Sequence, residues 1–248
     1  MSAHPGHLMN KLLCYLAPAL VVLAVVAGSV SLVARAQDVT ARRPPAPTLA
    51  RPTTPTRATD AAGFLQRWLV LEPIRVTGQL TDSAVQAAVK TEYFPNQLTV
   101  IPRDGDTVTA GDVQLTWHAV DTIKYNVNLF HFAYALGKPT SNVLFWAVTV
   151  VNAQREMSGV RLAVGSNAAS VWWVNGEEVI SLYNDRQAVI DDGVSKRLTL
   201  KQGPNVIRAV IINVGGATDY CARFLDAENN PVKGLAVNLD ANGKAAIR

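Results

Sequence analysis

After residue 62, apolar and polar positions fall into short runs parted by Gly, Asn, Asp and Pro, and almost none keeps a helical period. Val160, Leu162 and Val164 alternate with Arg161 and Ala163, the period of a strand with one buried face. The run Val206-Ile207-Arg208-Ala209-Val210-Ile211-Ile212 is apolar on both faces and predicts a central strand. Strands are predicted at 67–74, 113–119, 126–135, 143–152, 160–164, 169–174, 178–182, 196–201, 206–213 and 221–226. One short helix is predicted at 83–90, with Thr81 or Asp82 as its N-cap. Asn175-Gly176, between Val-Trp-Trp-Val and Glu-Glu-Val-Ile-Ser-Leu, suits a two-residue type I′ hairpin, because both residues accept positive φ. Gln202-Gly203-Pro204-Asn205 and Asn229-Asn230-Pro231 mark further turns. Short strands at regular spacing, with turns rather than helices between them, predict an all-β, antiparallel β-sandwich with one short helix.

Two other textures precede the sandwich. Residues 12–34 carry no charge and are dense in Leu, Val and Ala, as in an export signal or a membrane span. Ala34-Arg35-Ala36 is a small-x-small sequence, and cleavage there makes Gln37 the first mature residue. The run is nevertheless long enough to stay in a bilayer as an anchor, and Arg35, Arg42 and Arg43 behind it, against Lys11 before it, favour the inverted orientation by charge. Cleaved export leads these three readings. Met9-Asn10-Lys11 makes a more ordinary signal start than Met1, and Cys14 follows Lys11-Leu12-Leu13 rather than a lipobox. In residues 37–62, Pro44, Pro45, Pro47, Pro52 and Pro55 alternate with Thr, Ala and Arg, which predicts an extended, solvated spacer. The expected organisation is 1–36 signal peptide or signal anchor, 37–62 linker and 63–248 sandwich. The expected location is periplasmic, extracellular or membrane-anchored with the domain outside the cytoplasm.

Charge changes the picture once it is placed. The chain has 23 Lys+Arg against 19 Asp+Glu, a net charge of +4 and a pI near 9.2. Lys11 and Arg35 give the leader +2; Arg42, Arg43, Arg51 and Arg57 against Asp38 and Asp60 give the spacer another +2. Residues 61–248 are therefore neutral, with 17 bases and 17 acids, and net charge does not argue for a nucleic-acid partner. If Cys14 leaves with the leader, Cys221 has no partner; its apolar, strand-like surroundings predict a buried small residue rather than a reactive thiol.

Catalytic signatures are few. There is no Gly-x-Ser-x-Gly elbow, no Gly-x-x-x-x-Gly-Lys-Ser/Thr and no Gly-x-Gly-x-x-Gly. His118 and His131 lie singly in strand-like runs, without His-x-x-x-His or Cys-x-x-Cys to make a zinc site. No cofactor is expected. Asp191-Asp192-Gly193 and Asp104-Gly105-Asp106 offer oxygens to Ca²⁺, but neither completes a spaced calcium loop, so they are read as turn acids. Glu177-Glu178 reads as a solvated hairpin edge. Trp172 and Trp173 are neighbours in one strand and must point to opposite faces, one into the core and the other outward or beneath another segment. An exposed indole is a stacking surface for the C–H face of a pyranose.

The run Gly165-Ser166-Asn167-Ala168-Ala169-Ser170-Val171-Trp172-Trp173-Val174-Asn175-Gly176 resembles a signature of galactose-binding-like jelly-roll modules, where Gly-Ser-Asp-Asp-Gly precedes an aromatic strand and an Asn-Gly hairpin. Leu200-Lys201-Gln202-Gly203-Pro204-Asn205 is similar to the family's L-x-x-G-x-N, and Phe224–Pro231 to its closing strand and turn. The stretch from Phe64 to Ile74 is similar to its opening strand, with Glu72 where the family has glycine. Asn167-Ala168-Ala169 replaces the acidic pair and glycine. The resemblance covers most of 63–236 and implies a jelly-roll fold of the kind attached to secreted bacterial glycoside hydrolases and carbohydrate esterases.

Together these readings lead to an exported, non-catalytic carbohydrate- or glycoconjugate-binding module. Its expected ligand residues are Asn167, Trp172, Asn184, Asp185, Arg186 and Asp191, the amides and carboxylates meeting sugar hydroxyls and the indole stacking. The expected partners are a polysaccharide or glycoconjugate and a secreted glycan-degrading enzyme, with membrane contact only through an uncleaved leader. The alternatives are an envelope-tethered protein–protein interaction scaffold and, behind it, a carbohydrate esterase or glycoside hydrolase accessory with activity of its own.

Overall fold

The computed structural model describes residues 49–77, 81–167, 169–184 and 186–239; the leader reading at 1–36 and the candidate ligand residue Asp185 lie outside the described residues. In chain order the strands are β1 (Leu49–Ala50), β2 (Arg57–Ala58), β3 (Arg67–Leu71), β4 (Ile74–Arg75), β5 (Thr107–Ala110), β6 (Val113–Thr122), β7 (Val127–Asn128), β8 (Val143–Ala153), β9 (Met157–Ser166), β10 (Ala169–Val174), β11 (Glu177–Leu182), β12 (Gly193–Val194), β13 (Leu198–Leu200), β14 (Gly203–Asn213), β15 (Asp219–Leu225) and β16 (Leu235–Asn238). The helices are α1 (Asp82–Lys90) and α2 (Leu129–Ala135).

The all-β sandwich forms as expected. An eleven-stranded sheet runs β1-β6-β3-β8-β14-β10-β11, with β4 and β16 also on β8, β2 on β16 and β5 on β6. A five-stranded sheet runs β12-β9-β15-β7, with β13 on β9. Every pairing given for these strands is antiparallel. Between the sheets, Trp68, Trp172 and Tyr220 meet edge to face, with ring centroids 5.2–6.2 Å apart. Ile207, Ala209 and Ile211 of β14 face Leu162, Val164, Ala222 and Phe224 in the same buried layer.

The large sheet is covered on its other face as well. Leu69, Leu71, Trp146, Val171, Trp173, Val210 and Ile212 pack there against Val85, Ala88 and Val89 of α1 and against Phe94. This second core is why the 206–212 run is apolar on both faces: β14 is central between β8 and β10 and buried on both sides. Each such aliphatic side chain, fully buried, contributes roughly 1.5–3 kcal/mol of apolar transfer free energy. Arg208 is the polar exception, 3% exposed and donating to the Val100 carbonyl at 2.6 Å; burial pulls its pKa down to about 10.

Local chemistry explains the helices. Thr81 caps α1, its hydroxyl accepting from the Ala84 N–H, and Val85, Ala88 and Val89 follow at helical spacing on the buried side. At 126–135 the expected single strand is corrected to a two-residue strand followed by α2. Asn128 Oδ1 accepts from the His131 N–H at 2.7 Å as an N-cap, and Leu129, Phe132 and Ala133 bury one helical face. The strand reading overlooked both the cap and this i, i+3, i+4 period.

The stretch from residue 49, expected to be solvated spacer, instead docks on the sandwich. Leu49 and Ala50 pair with Thr122 and Asp121, and Arg57 and Ala58 pair with Val237 and Ala236. Arg67, 1% exposed, forks onto Asp121 with two 2.8 Å bonds and reaches the Thr54 carbonyl at 2.7 Å. Prolines here do not exclude pairing, because the strands are two residues long and lie at edges.

Candidate functional site

One end of the sandwich gathers the ends of β9 and β11, the starts of β8, β10 and β15, and α2. The loop from Tyr183 to Asp192 leaves β11 there and crosses the outer face of the five-stranded sheet. Gly165 on β9 is what admits it: a Cβ at this position would lie 2.1 Å from the Val189 carbonyl oxygen and 3.1 Å from Cys221 Sγ. Beneath the loop, Cys221 is 2% exposed and burial pushes its thiol up to about 12, so it is the buried small residue expected.

The loop carries most of the sequence-predicted ligand residues, and the structure uses them in different ways. Arg186 donates to Asn184 Oδ1 at 3.2 Å and to the Asp192 carboxylate, drawing the loop into a compact turn. Asp191 takes a left-handed φ of 59°, and its carboxylate receives the guanidinium fork of Arg223 from β15, Nε to Oδ1 at 2.9 Å and the second bond through Nη2. Asn167 follows β9 directly, and its N–H donates to the Asp219 carbonyl at 2.8 Å.

Trp172 requires a correction. It is 0% exposed, sits between the sheets and donates from Nε1 to Ser170 Oγ at 2.9 Å, so it offers no ring to a ligand. Trp173 takes the other face and stacks on Trp146 within the second core, the covered arrangement named as one outcome for the second indole. The turn acids are committed locally. Asp104 accepts from the Ala119 N–H at 2.9 Å and from Arg51 at 2.6 Å, and Asp106 accepts from the Arg103 N–H at 2.7 Å. Among the described residues, no group of three or more His, Cys, Asp or Glu is placed to hold a metal.

Sequence reading missed the groups that complete the site. Arg223 Nη1 donates to the Ala62 carbonyl at 3.1 Å, and its guanidinium lies 5.0 Å from the centre of the Phe64 ring. The hydrogen bonds it donates to the Asp191 carboxylate raise the Arg223 pKa and keep it charged. Phe64 in turn packs at 5.4 Å against the ring of Tyr125, a residue 40% exposed. At the same end, Asn126 Nδ2 donates to the half-buried Asp219 carboxylate, whose pKa burial raises. The site is thus an exposed tyrosine beside a charged Arg223–Asp191 fork, with the Asn126–Asp219 pair at the same end of the sandwich. The available signals were a charge interrupting Tyr220-Cys-Ala-Arg-Phe-Leu and a tyrosine stranded in the turn after β6.

The chain matches no family model, and no curated protein matches it. Among solved structures it is similar to the PA14 domain of the MpAFP antifreeze protein, at 16% identity over 78% of this chain and 94% of that one, with a TM-score of 0.40. It is also similar to a PA14 sugar-binding domain from an RTX adhesin, at 14% identity over 69% and 96%, with a TM-score of 0.39. A third likeness is to β-glucosidase from Kluyveromyces marxianus, at 19% identity and a TM-score of 0.34; it takes in 44% of this chain, which spans 14% of that enzyme. What those proteins bind or cleave stays with them.

Proposed function

We propose that this chain is an exported, non-catalytic module that binds carbohydrate or glycoconjugate on the outer face of its five-stranded sheet, within a galactose-binding-like jelly roll at 63–248. The observation that carries the reading is the adjacency of Tyr125, 40% exposed, to the Phe64–Arg223–Asp191 cluster. Sugars present C–H faces and hydroxyl edges together. A ring beside an Arg–Asp fork meets both, the phenol supplying apolar area and the fork supplying donors and acceptors of fixed direction. Residues 1–36 are the export signal or anchor of this reading. Affinity electrophoresis and calorimetry of the purified chain against a polysaccharide panel test it: retardation by at least one polysaccharide is expected, and no binding to any member overturns it.

A second reading, a scaffold for a partner protein, is favoured by a separate ledge on α2. Phe130 and Tyr134 stack with planes 6° apart, and Tyr134 is 60% exposed. Co-purification of one fixed partner, lost on changing Tyr134, would favour this reading over the first.

A further inference from the structure

We propose that the outer face of the five-stranded sheet, at Arg197 and Arg161 beside the neutral Arg223–Asp191 pair, selects anionic polysaccharides by their carboxylate or sulfate groups. The inference rests on the carbohydrate reading above and names the class of glycan.

The register puts these cations on one surface. In β9, Val160, Leu162 and Val164 belong to the core between the sheets, so Arg161 and Ala163 face outward. In β15, Tyr220, Ala222 and Phe224 face inward, so Arg223 faces outward with them. Arg223 pairs with Ala163, two residues from Arg161, which makes the two arginines diagonal neighbours on the same face, about 7–8 Å apart at the backbone. On the other side of β9, Arg197 Nη1 donates to the Gly159 carbonyl at 3.0 Å, two residues before Arg161. The stripe therefore crosses the sheet from its β13 edge to β15 and ends at the Arg223–Tyr125 site.

Two features point this stripe at an anion. Arg161 is only half-buried, and its Nε has no hydrogen-bond partner. Among the described residues, no carboxylate pairs with Arg161 or Arg197. The acids nearby are engaged: Asp191 by Arg223, Asp192 by Arg186, and Asp226 by the N–H groups of Glu228 and Asn230. Glu156 and Glu228 sit exposed in the turns beyond the stripe. Residues 61–248 carry no net charge, so this is a local segregation of charge rather than a basic body. A planar guanidinium donates two parallel N–H bonds to a carboxylate or sulfate, and neighbouring ones suit a polymer with repeated anions more than a single ion.

The experiment compares polygalacturonate, dextran sulfate, neutral xylan and double-stranded DNA as ligands of the purified chain at low and raised salt. Polygalacturonate or dextran sulfate should bind at least about tenfold tighter than xylan, with the difference shrinking as salt rises. Arg161→Gln should remove most of that difference while leaving xylan affinity unchanged. Arg197→Ala, at an exposed position, gives the same readout if the Arg161 variant fails to fold. Equal binding of neutral and acidic polysaccharides overturns the anionic preference and leaves the carbohydrate reading standing; binding to none overturns both. DNA bound as tightly as polygalacturonate would overturn the assignment to glycan. The carboxylate and sulfate arms decide which anion the stripe prefers.

Discussion

The indoles of Trp146 and Trp173 stack at 5.7 Å, planes 20° apart, across an intervening strand. Trp146 belongs to β8 and Trp173 to β10, with β14 between them, so the pair bridges three strands on the α1 side of the large sheet. Phe94 adds an edge-to-face contact to Trp146 at 6.0 Å, tying the covering layer to the stack.

Trp173→Ala should therefore destabilise the fold by about 3–5 kcal/mol, the range for losing a large buried aromatic. Urea unfolding followed by far-UV circular dichroism measures it. A loss below about 1 kcal/mol would mean that the second core contributes little. Trp173→Phe should recover most of the difference, since a smaller ring still fills part of the space.

Gly165→Ala tests whether the loop from Tyr183 to Asp192 is held by close approach to β9. An added Cβ collides with backbone, the Val189 carbonyl at 2.1 Å, and no side-chain rotation relieves that. The loop must lift, and the Asp191–Arg223 fork should open with it. Overpacking of this kind costs about 1–3 kcal/mol, and amide exchange should rise at 183–192 while β14 stays protected. Unchanged exchange in the loop would refute the tether.

The architecture was legible where one physical rule dominates. Asn175 and Gly176 both take positive φ, 53° and 87°, between Val174 and Glu177, the two-residue turn their residue types predict. Thr81 capped α1 as the sequence suggested. The reading failed where tertiary contact decides. The strand-like residues after Asn128 became α2 because a cap and a buried helical stripe outweighed β propensity, and the proline-rich stretch from residue 49 was captured by Arg67 and the edges of β6 and β16. Asp191 was identified from the sequence, but its partner Arg223 lies 32 residues away and only the register of β15 on β9 shows that it faces the loop.

Glu72 and Asp219 should tilt stability in opposite directions with pH. Burial works against the charge on Glu72, but Lys138 Nζ at 2.9 Å, the Thr116 N–H at 3.2 Å and His118 Nε2 at 3.4 Å outweigh it and hold the carboxyl below its usual value of 4.5. A depressed carboxyl contributes stability above its unfolded pKa and loses it as pH falls through the folded one. Glu72→Gln should lower the urea midpoint at pH 7 and flatten the fall below pH 4.5. Burial raises the Asp219 carboxyl above 3.8 despite the Asn126 hydrogen bond, so its charge disfavours the folded state at neutral pH. Asp219→Asn should raise the midpoint at pH 7, and the gain should vanish in acid once both states are protonated. Shifts of the same sign for the two variants would contradict this account.

Tyr125 and Tyr134 separate the two functional readings, because both rings are exposed and they belong to different surfaces. Tyr125, 40% exposed, stands beside Phe64, Arg223 and Asp191; Tyr134, 60% exposed, stacks on Phe130 along α2. Surface truncations of this kind change stability little, about 0.5 kcal/mol, so either variant should remain folded at ordinary temperature. Removing one ring from a stacking site forfeits about 0.5–1.5 kcal/mol, or roughly two- to tenfold in affinity. Tyr125→Ala should weaken polysaccharide binding by that factor and Tyr134→Ala should leave it unchanged, both read by affinity electrophoresis on the retarding polysaccharide. The reverse pattern would move the sugar site to α2, and an equal loss from both would place it between the two tyrosines rather than at the Arg223 fork.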